Sequence, residues 1–347
     1  MENKLILSSS PQWRDTDTIP KIMNTVSLSL IPAWLISIYF FGFPAVYLTL
    51  LAILSAVGTE YCIERIFKLP STIRDGSAIV TGVLLGFNLP PGVPFWIPII
   101  GSMVAIGVGK MVFGGLGNNP INPALIGRAF LMASWPIHMT SAWRAPRGGS
   151  LSSLTSNLES LTTATPLNLY KSSMDVIRTV NDPTQIKTAQ DAVNSLSTNW
   201  LQFFLGQTGG CLGETSALAI LLGALYLIYK NYVDWRIPFS YILTVGLLGW
   251  ALGGFNGLFS GSFLFHVFAG GLFLGAFYMA TDMVTSPLTR KGKVIFGIGC
   301  GIITFIIRMV GGYPEGVCYS ILLMNLAVPL IDRYIVPRKF GEVIHAK

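Results

Sequence analysis

Apolar residues along this chain do not alternate, and they do not form a one-sided helical stripe. They run in blocks divided by short polar breaks. A helix that crosses a bilayer needs about 20 mostly apolar residues. Blocks that meet or approach this length lie near 23–43, 46–64, 76–90, 95–110, 121–138, 214–230, 237–256, 261–281, 293–310 and 315–332. The pattern predicts an all-α polytopic membrane protein with about ten transmembrane helices. Several blocks are short and carry Gly or Pro, which predicts tilted, broken or re-entrant helices whose freed backbone groups find partners inside the bundle.

Composition supports this reading. Of 347 residues, 52% are hydrophobic and 11% charged, and the mean hydropathy is +0.60. Soluble domains carry about 25% charged residues. The net charge of +7 would suit a nucleic-acid binder, but no Lys/Arg cluster forms a stripe, so nucleic acid is excluded as a partner. The basic residues set orientation instead. With the N-terminus inside, sixteen of the 23 Lys and Arg fall in cytoplasmic segments. The short outer loops around Pro91, Asn256 and Gly312 hold none. Arg128 and Arg308 lie within spans, and five more lie in the long segment 139–213. The expected location is a bacterial cytoplasmic membrane, with both termini cytoplasmic. Met1 to Ile22 is polar and reads as a short arm, not a cleaved leader.

Segment 139–213 is rich in Ser, Thr and Asn and lies outside between spans five and six. It divides the chain into 1–22, a first five-helix repeat at 23–138, the loop, a second repeat at 214–333 and a tail at 334–347. Five spans per half require the second half to be inverted. Lys110-Met111-Val112-Phe113-Gly114-Gly115 resembles Arg308-Met309-Val310-Gly311-Gly312, and each half has a helix ending at proline upstream, Pro90 and Pro287. Transport folds place sites between the broken helices of such repeats.

Five motifs then follow in order. Arg74-Asp75-Gly76-Ser77-Ala78 opens a span that ends Leu89-Pro90-Pro91. Phe113-Gly114-Gly115-Leu116-Gly117-Asn118-Asn119-Pro120-Ile121-Asn122-Pro123 follows the fourth span. Leu161-Thr162-Thr163-Ala164-Thr165-Pro166-Leu167 lies in the outer loop. Thr281-Asp282-Met283-Val284-Thr285-Ser286-Pro287 and Gly311-Gly312-Tyr313-Pro314-Glu315-Gly316 come late. Taken alone, the Thr-rich element is a surface loop in which Pro166 biases Thr165 to extended backbone. In this order the motifs resemble the RnfD/NqrB family of the Rnf and Nqr complexes over nearly the whole chain, from Ser27 to Phe340.

That resemblance implies an electron-transfer component of a redox-driven Na+ or H+ pump, of the Rnf ferredoxin:NAD+ oxidoreductase type. The chain would be part of a translocase and not a complete enzyme. The other Rnf components (A, B, C, E and G) would be its partners in the bilayer. It further implies FMN joined to Thr165 through a phosphoester made by a separate flavin transferase. Glu159 stands where the family usually has an acidic residue, and Thr163 replaces a commoner small one. Arg144, Arg147 or Lys171 would pair with the phosphodiester, unless they are solvated loop charges. A second, non-covalent flavin or riboflavin is implied within the bundle. Its candidates are the turns 114–122 and 311–316, with Gly115, Gly117, Asn118, Asn119 and Asn122 approaching the ring, or else letting helices cross tightly.

Ionisable residues at membrane depth are functional candidates. Arg128 is the deepest, while Glu60, Glu64, Lys110, Asp282 and Glu315 fall nearer the span ends. Asp282 is expected beside Arg290 and Lys291. Glu60, Glu64 and Asp282 are candidates for an ion pathway, beside plain helix-end anchoring. Cys62, Cys211, Cys300 and Cys318 have no metal or iron–sulfur spacing and read as small hydrophobes. His266 reads as packed, and no catalytic residue or metal site is expected. No Gly-rich dinucleotide fingerprint is present. The alternatives are a stand-alone secondary transporter or channel with inverted repeats, which would not need the Thr165 element, and a passive scaffold.

Overall fold

The computed structural model describes residues 17–146, 165–255, 257–313 and 315–336, and every element of regular structure in them is helical. In the first half, α1 (Ile19–Ser29) and α2 (Ile31–Phe41) form one kinked rod. It is followed by α3 (Phe43–Phe67), α4 (Ser77–Phe87), α5 (Trp96–Gly107), α6 (Pro123–Ser134) and the short α7 (Pro136–Ser141). Between the halves, the loop expected to be merely polar folds into α8 (Pro166–Thr179), α9 (Pro183–Thr198) and α10 (Trp200–Leu205). In the second half stand α11 (Ala217–Tyr229), α12 (Arg236–Leu252), α13 (Phe263–Phe268), α14 (Leu272–Leu274), α15 (Arg290–Val310) and α16 (Val317–Tyr334). A π turn, Gly275–Met279, continues α14.

Local chemistry sets these boundaries. Proline stands in the first turn of α1, α2, α3, α6, α7, α8 and α9, where its missing N–H costs nothing. Asn122, Thr165, Asp182, Ser216 and Thr289 each accept a hydrogen bond from a first-turn N–H of the helix they open, which offsets about 1 kcal/mol of unsatisfied backbone per cap. The predicted first span is broken at Leu30, because Pro32 starts a new helix there. The fifth breaks at Trp135, ahead of Pro136.

All ten predicted blocks fall on helical segments. Five stretches are long and apolar enough to cross a membrane: Ile19–Phe41, Phe43–Ile66, Trp96–Phe113, Arg290–Val310 and Val317–Tyr334. Ser77–Phe87, Pro123–Ser134, Ala217–Tyr229 and Arg236–Leu252 are apolar but shorter, in line with the predicted broken helices. Large apolar side chains such as Leu54, Phe239, Ile306 and Leu330 are exposed. Water would penalise such a surface, whereas lipid tails suit it.

The two halves pack in the same order. The second span contacts the fourth in each, α3 with α5 and α12 with α15, and the fourth contacts the fifth, α5 with α6 and α15 with α16. Glycine permits the closest approaches: a Cβ on Gly82 would lie 2.7 Å from Ile53 Cα, so α4 rides against the backbone of α3. The halves join where α1 and α2 meet α11 and where α6 meets α16. The loop helices have a cluster of their own, in which Leu167, Tyr170, Met174, Val193 and Phe203 cover Phe265 and Ala269 of the second half.

Candidate functional site

Thr165 itself has extended backbone and caps α8, its hydroxyl oxygen 3.3 Å from the Asn168 N–H. It is not a surface residue, being 9% exposed. It lines a narrow cleft of about 40 Å³ between the loop helices and the bundle, walled by Trp143, Phe203, Phe268 and Thr208–Gly210. Tyr170, one turn along α8, donates its hydroxyl to the Gly253 carbonyl, and burial pushes that hydroxyl up to about 12. Lys171 donates to the Gly311 carbonyl at the end of α15. These two bonds seat α8 so that its N-terminus, with its unsatisfied N–H groups and positive dipole end, opens on the cleft. Residues 147–164, including Glu159, Thr163 and Arg147, lie outside the described residues.

The cleft floor is a buried charge network that crosses the two halves. The Arg128 guanidinium on α6 donates to Asn88 Oδ1 and Glu315 Oε2, and its Nη2 lies 3.5 Å from Glu214 Oε1. Glu315 Oε1 accepts the Gly271 N–H at 2.8 Å. Arg308 on α15 donates to the main-chain carbonyls of Glu315, His266 and Ala269 at 3.2, 2.6 and 3.1 Å. Glu315 was expected nearer a span end, but it is buried, as is Arg308. Sequence reasoning found Arg128 and missed the grouping, because Glu214 and Glu315 are 86 and 187 residues away. One signal was there: a guanidinium in an apolar block demands counter-charge, and few acids have apolar flanks.

A second cavity, about 260 Å³, opens at the other end of the Phe263–Met279 segment. Gly117, Asn119 and Asn122 line it, as do Lys110, Phe277, Tyr278, Thr281 and Asp282. Asn122 caps α6 and donates to the Met279 carbonyl of the π turn at 3.2 Å. Asn119 leaves its buried Oδ1 without a partner. Gly115 and Gly117 sit at φ +96° and +97°, where other residues are strained. Asn118 is exposed and bonds the Gly114 carbonyl at 3.4 Å. The two predicted turns are therefore separated: 114–122 borders this cavity, whereas Glu315 belongs to the cleft.

The three ion-pathway candidates do not form one group. Glu60 and Lys110, expected near span ends, form a fully buried pair at 2.7 Å. Ser77 Oγ lies 2.6 Å from the ammonium and the Asp75 carboxylate 4.0 Å. The Thr72 hydroxyl sits 2.6 Å from Glu60 and 2.7 Å from Glu64, one proton between two acceptors. Asp282 bonds the Val284 N–H and Thr285 at the second cavity; its ring of partners does not include Arg290 or Lys291. Arg144 lies against Gly92, outside the cleft lining, with its Nε buried and unpartnered. His266 is packed among Tyr170, Phe265 and Phe305, as expected. Among the described residues no His, Cys and carboxylate group could hold a metal.

The sequence profile of the NQR2, RnfD, RnfE family matches residues 6–341. The chain belongs to the NQR2, RnfD, RnfE family. It is 47% identical over 340 residues to the D subunit of the proton-translocating ferredoxin:NAD(+) oxidoreductase complex of Clostridium ljungdahlii, covering 98% of this chain and 97% of that one. It is 46% identical to the D subunit of the Na(+)-translocating ferredoxin:NAD(+) oxidoreductase complex of Acetobacterium woodii, covering 98% and 96%. The D subunit of the ion-translocating oxidoreductase complex of Klebsiella pneumoniae is 34% identical over 97% of this chain and 99% of its own. Membership in the NQR2, RnfD, RnfE family, with five apolar helices of spanning length, makes this a multi-pass membrane protein.

Proposed function

We infer that the chain is the D subunit, a membrane component, of an ion-translocating ferredoxin:NAD+ oxidoreductase, and that Thr165 carries FMN in it. The observation that carries the flavin reading is the position of Thr165: at a helix N-terminus, on a cleft with aromatic walls and a charged floor. The residues present fit the group. The hydroxyl makes only a long bond to Asn168, so it is free to be esterified. The N–H groups that open α8 favour a phosphodiester anion at that position, a role that Lys171, held by Gly311, does not have to fill. Trp143, Phe203 and Phe268 offer flat apolar faces to a ring system.

Bound there, FMN supplies a carrier of one or two electrons. Thr165 would hold it by one covalent bond, the loop helices would limit its access to bulk water, and Arg128, Glu214 and Glu315 line the same cleft. The second cavity suits a non-covalent flavin or riboflavin, with the Asn119 amide oxygen unpaired and Asn122 at its wall. The complex would lie in the cytoplasmic membrane with both termini inside, beside the A, B, C, E and G components, after a flavin transferase had acted on the exported loop. Relatives of near-equal identity are named for H+ and for Na+, so the cation moved is a matter for flux measurement.

The test is the intact mass of the purified chain, made with and without the transferase, beside Thr165→Ala. The expected result is the mass of one FMN less water, present only with the transferase and lost in the variant. A chain that stays unmodified in transferase-bearing cells would turn the reading toward a secondary transporter.

A further inference from the structure

The cleft floor does not balance its charges locally. Glu214 and Glu315 converge on the bare Cα of Gly271, where a Cβ would meet Glu315 Oε1 and lie 2.7 Å from Glu214 Oε1. Two carboxylates thus share the single Arg128 guanidinium. Arg308 adds positive charge nearby, but its hydrogen bonds go to three main-chain carbonyls.

The two carboxylates are not equivalent. Glu315 has its bond to Arg128 and a 2.8 Å bond from the Gly271 N–H. The contacts of Glu214 with N–H donors lie at the outer limit, 3.5 Å to Arg128 Nη2 and 3.5 Å from the Cys211 N–H, and its other close neighbours are the Glu315 carboxylate and the Cys211 thiol. Hydrogen bonding weakens steeply at such lengths, and a buried carboxylate so poorly compensated is costly. The charged and titratable groups facing Glu214 are Glu315, Arg128, Cys211 and, beyond Glu315, Arg308. Both carboxylates line the cleft and keep a little exposure, 6% and 12% of their side chains. Arg128 also keeps a buried Nε–H without a partner.

We propose that Glu214 is the proton-accepting residue of the cleft, taking up one proton when the group on Thr165 gains one electron and releasing it on reoxidation. The proposal rests on the flavin reading above. The electron comes from a one-electron donor elsewhere in the complex. The proton is taken from the aqueous medium as H3O+ reaching the cleft, which leaves H2O behind, and forms an O–H bond on the Glu214 carboxylate. The added negative charge is cancelled beside the place where it arises, and the pair Glu214–Glu315 becomes an acid–carboxylate pair able to hydrogen-bond across Gly271. Glu214 acts on the potential and proton count of the group above it, without touching it.

The test uses the full chain carrying FMN, confirmed by intact mass, and reduced stepwise with dithionite. The reduced-minus-oxidised infrared difference spectrum should show a protonated-carboxyl band that shifts in D2O, is lost in Glu214→Gln and is moved but kept in Glu214→Asp. Proton uptake, read with a pH dye, should fall by up to one proton per electron in Glu214→Gln. A flavin-bearing chain with no such band, or a Glu214→Gln variant that keeps it, overturns the proposal alone. So does a wild-type reduction that depends on Na+ at fixed pH with no carboxyl band. A chain that carries no flavin overturns the flavin reading and the proposal with it.

Discussion

Replacing Lys110 by methionine removes the ammonium from a pair in which both side chains are buried, 1% and 0% exposed. Glu60 then keeps only the Thr72 hydroxyl, which it shares with Glu64, and its Oε2 is already unpartnered. Attraction between unit charges at an effective dielectric of 20 is ~4 kcal/mol at 4 Å, and removing one partner of a buried pair costs about 3–5 kcal/mol. Glu60→Gln is milder, because Lys110 retains Ser77 and Asp75; its cost is about 1–3 kcal/mol. The double variant Lys110→Met, Glu60→Gln strands no charge and should recover most of the loss, which gives a coupling of about 2–3 kcal/mol. Unfolding of the purified chain in mixed micelles, titrated with SDS, reads all four corners of the cycle. If Lys110→Met proves no worse than Glu60→Gln, or the double variant costs the sum of the singles, the pair is not what holds α3, α4 and the end of α5 together.

Three other outcomes follow from geometry. Gly223→Ala would drive a Cβ into the Ser29 carbonyl and the Tyr278 hydroxyl; overpacking should cost about 1–3 kcal/mol or more in the same titration, whereas Gly58→Ala, with nothing within 4 Å, should be neutral. Asn122→Ala removes both the α6 cap and the bond to Met279, so a loss of about 1–2 kcal/mol together with a lower content of extractable flavin is expected, and unchanged flavin would detach the second cavity from that cofactor. Asp234 lies between α11 and α12; burial raises its carboxyl, but the Arg236 N–H and Lys293 outweigh it, leaving it below its usual 3.8. A lowered folded value stabilises above the unfolded one and is lost as pH falls through the folded value. Asp234→Asn should therefore cost no more than about 1 kcal/mol at pH 7, and the gap from wild type should close below pH 3.8; a gap that widens on acidification would contradict the assignment.

The apolar blocks were legible because lipid leaves one simple demand on sequence, and the expected block 76–90 contains α4, Ser77–Phe87. What escaped was set by contact. The loop helices are marked by Thr165-Pro166 and Asp182-Pro183, cap and first-turn signals that a polar composition obscured. The π turn at Gly275–Met279 has no mark in the sequence, since it answers to Asn122 on another helix. Thr165 was found through a motif resemblance, while its seat under α8 and over Arg128 required the fold. Lys110 and Glu60 were each read as helix-end charges because linear position does not show that α3 and α4 close around them.

Phe268, Phe273 and Phe277 run along one segment with ring centroids 5.6 and 5.8 Å apart. The first borders the cleft and the last borders the opposite cavity. Together with Leu272, Leu274 and Ala276 of the core, they form a thin insulating wall between two chambers that open toward opposite ends of the bundle. A membrane voltage falls mainly across whatever does not conduct, so with water filling both chambers most of it would be concentrated over this wall and not over the full bilayer thickness. Each elementary charge carried from one chamber to the other then works against nearly the whole potential, about 2.3 kcal/mol per 100 mV, although it travels only the length of a few side chains.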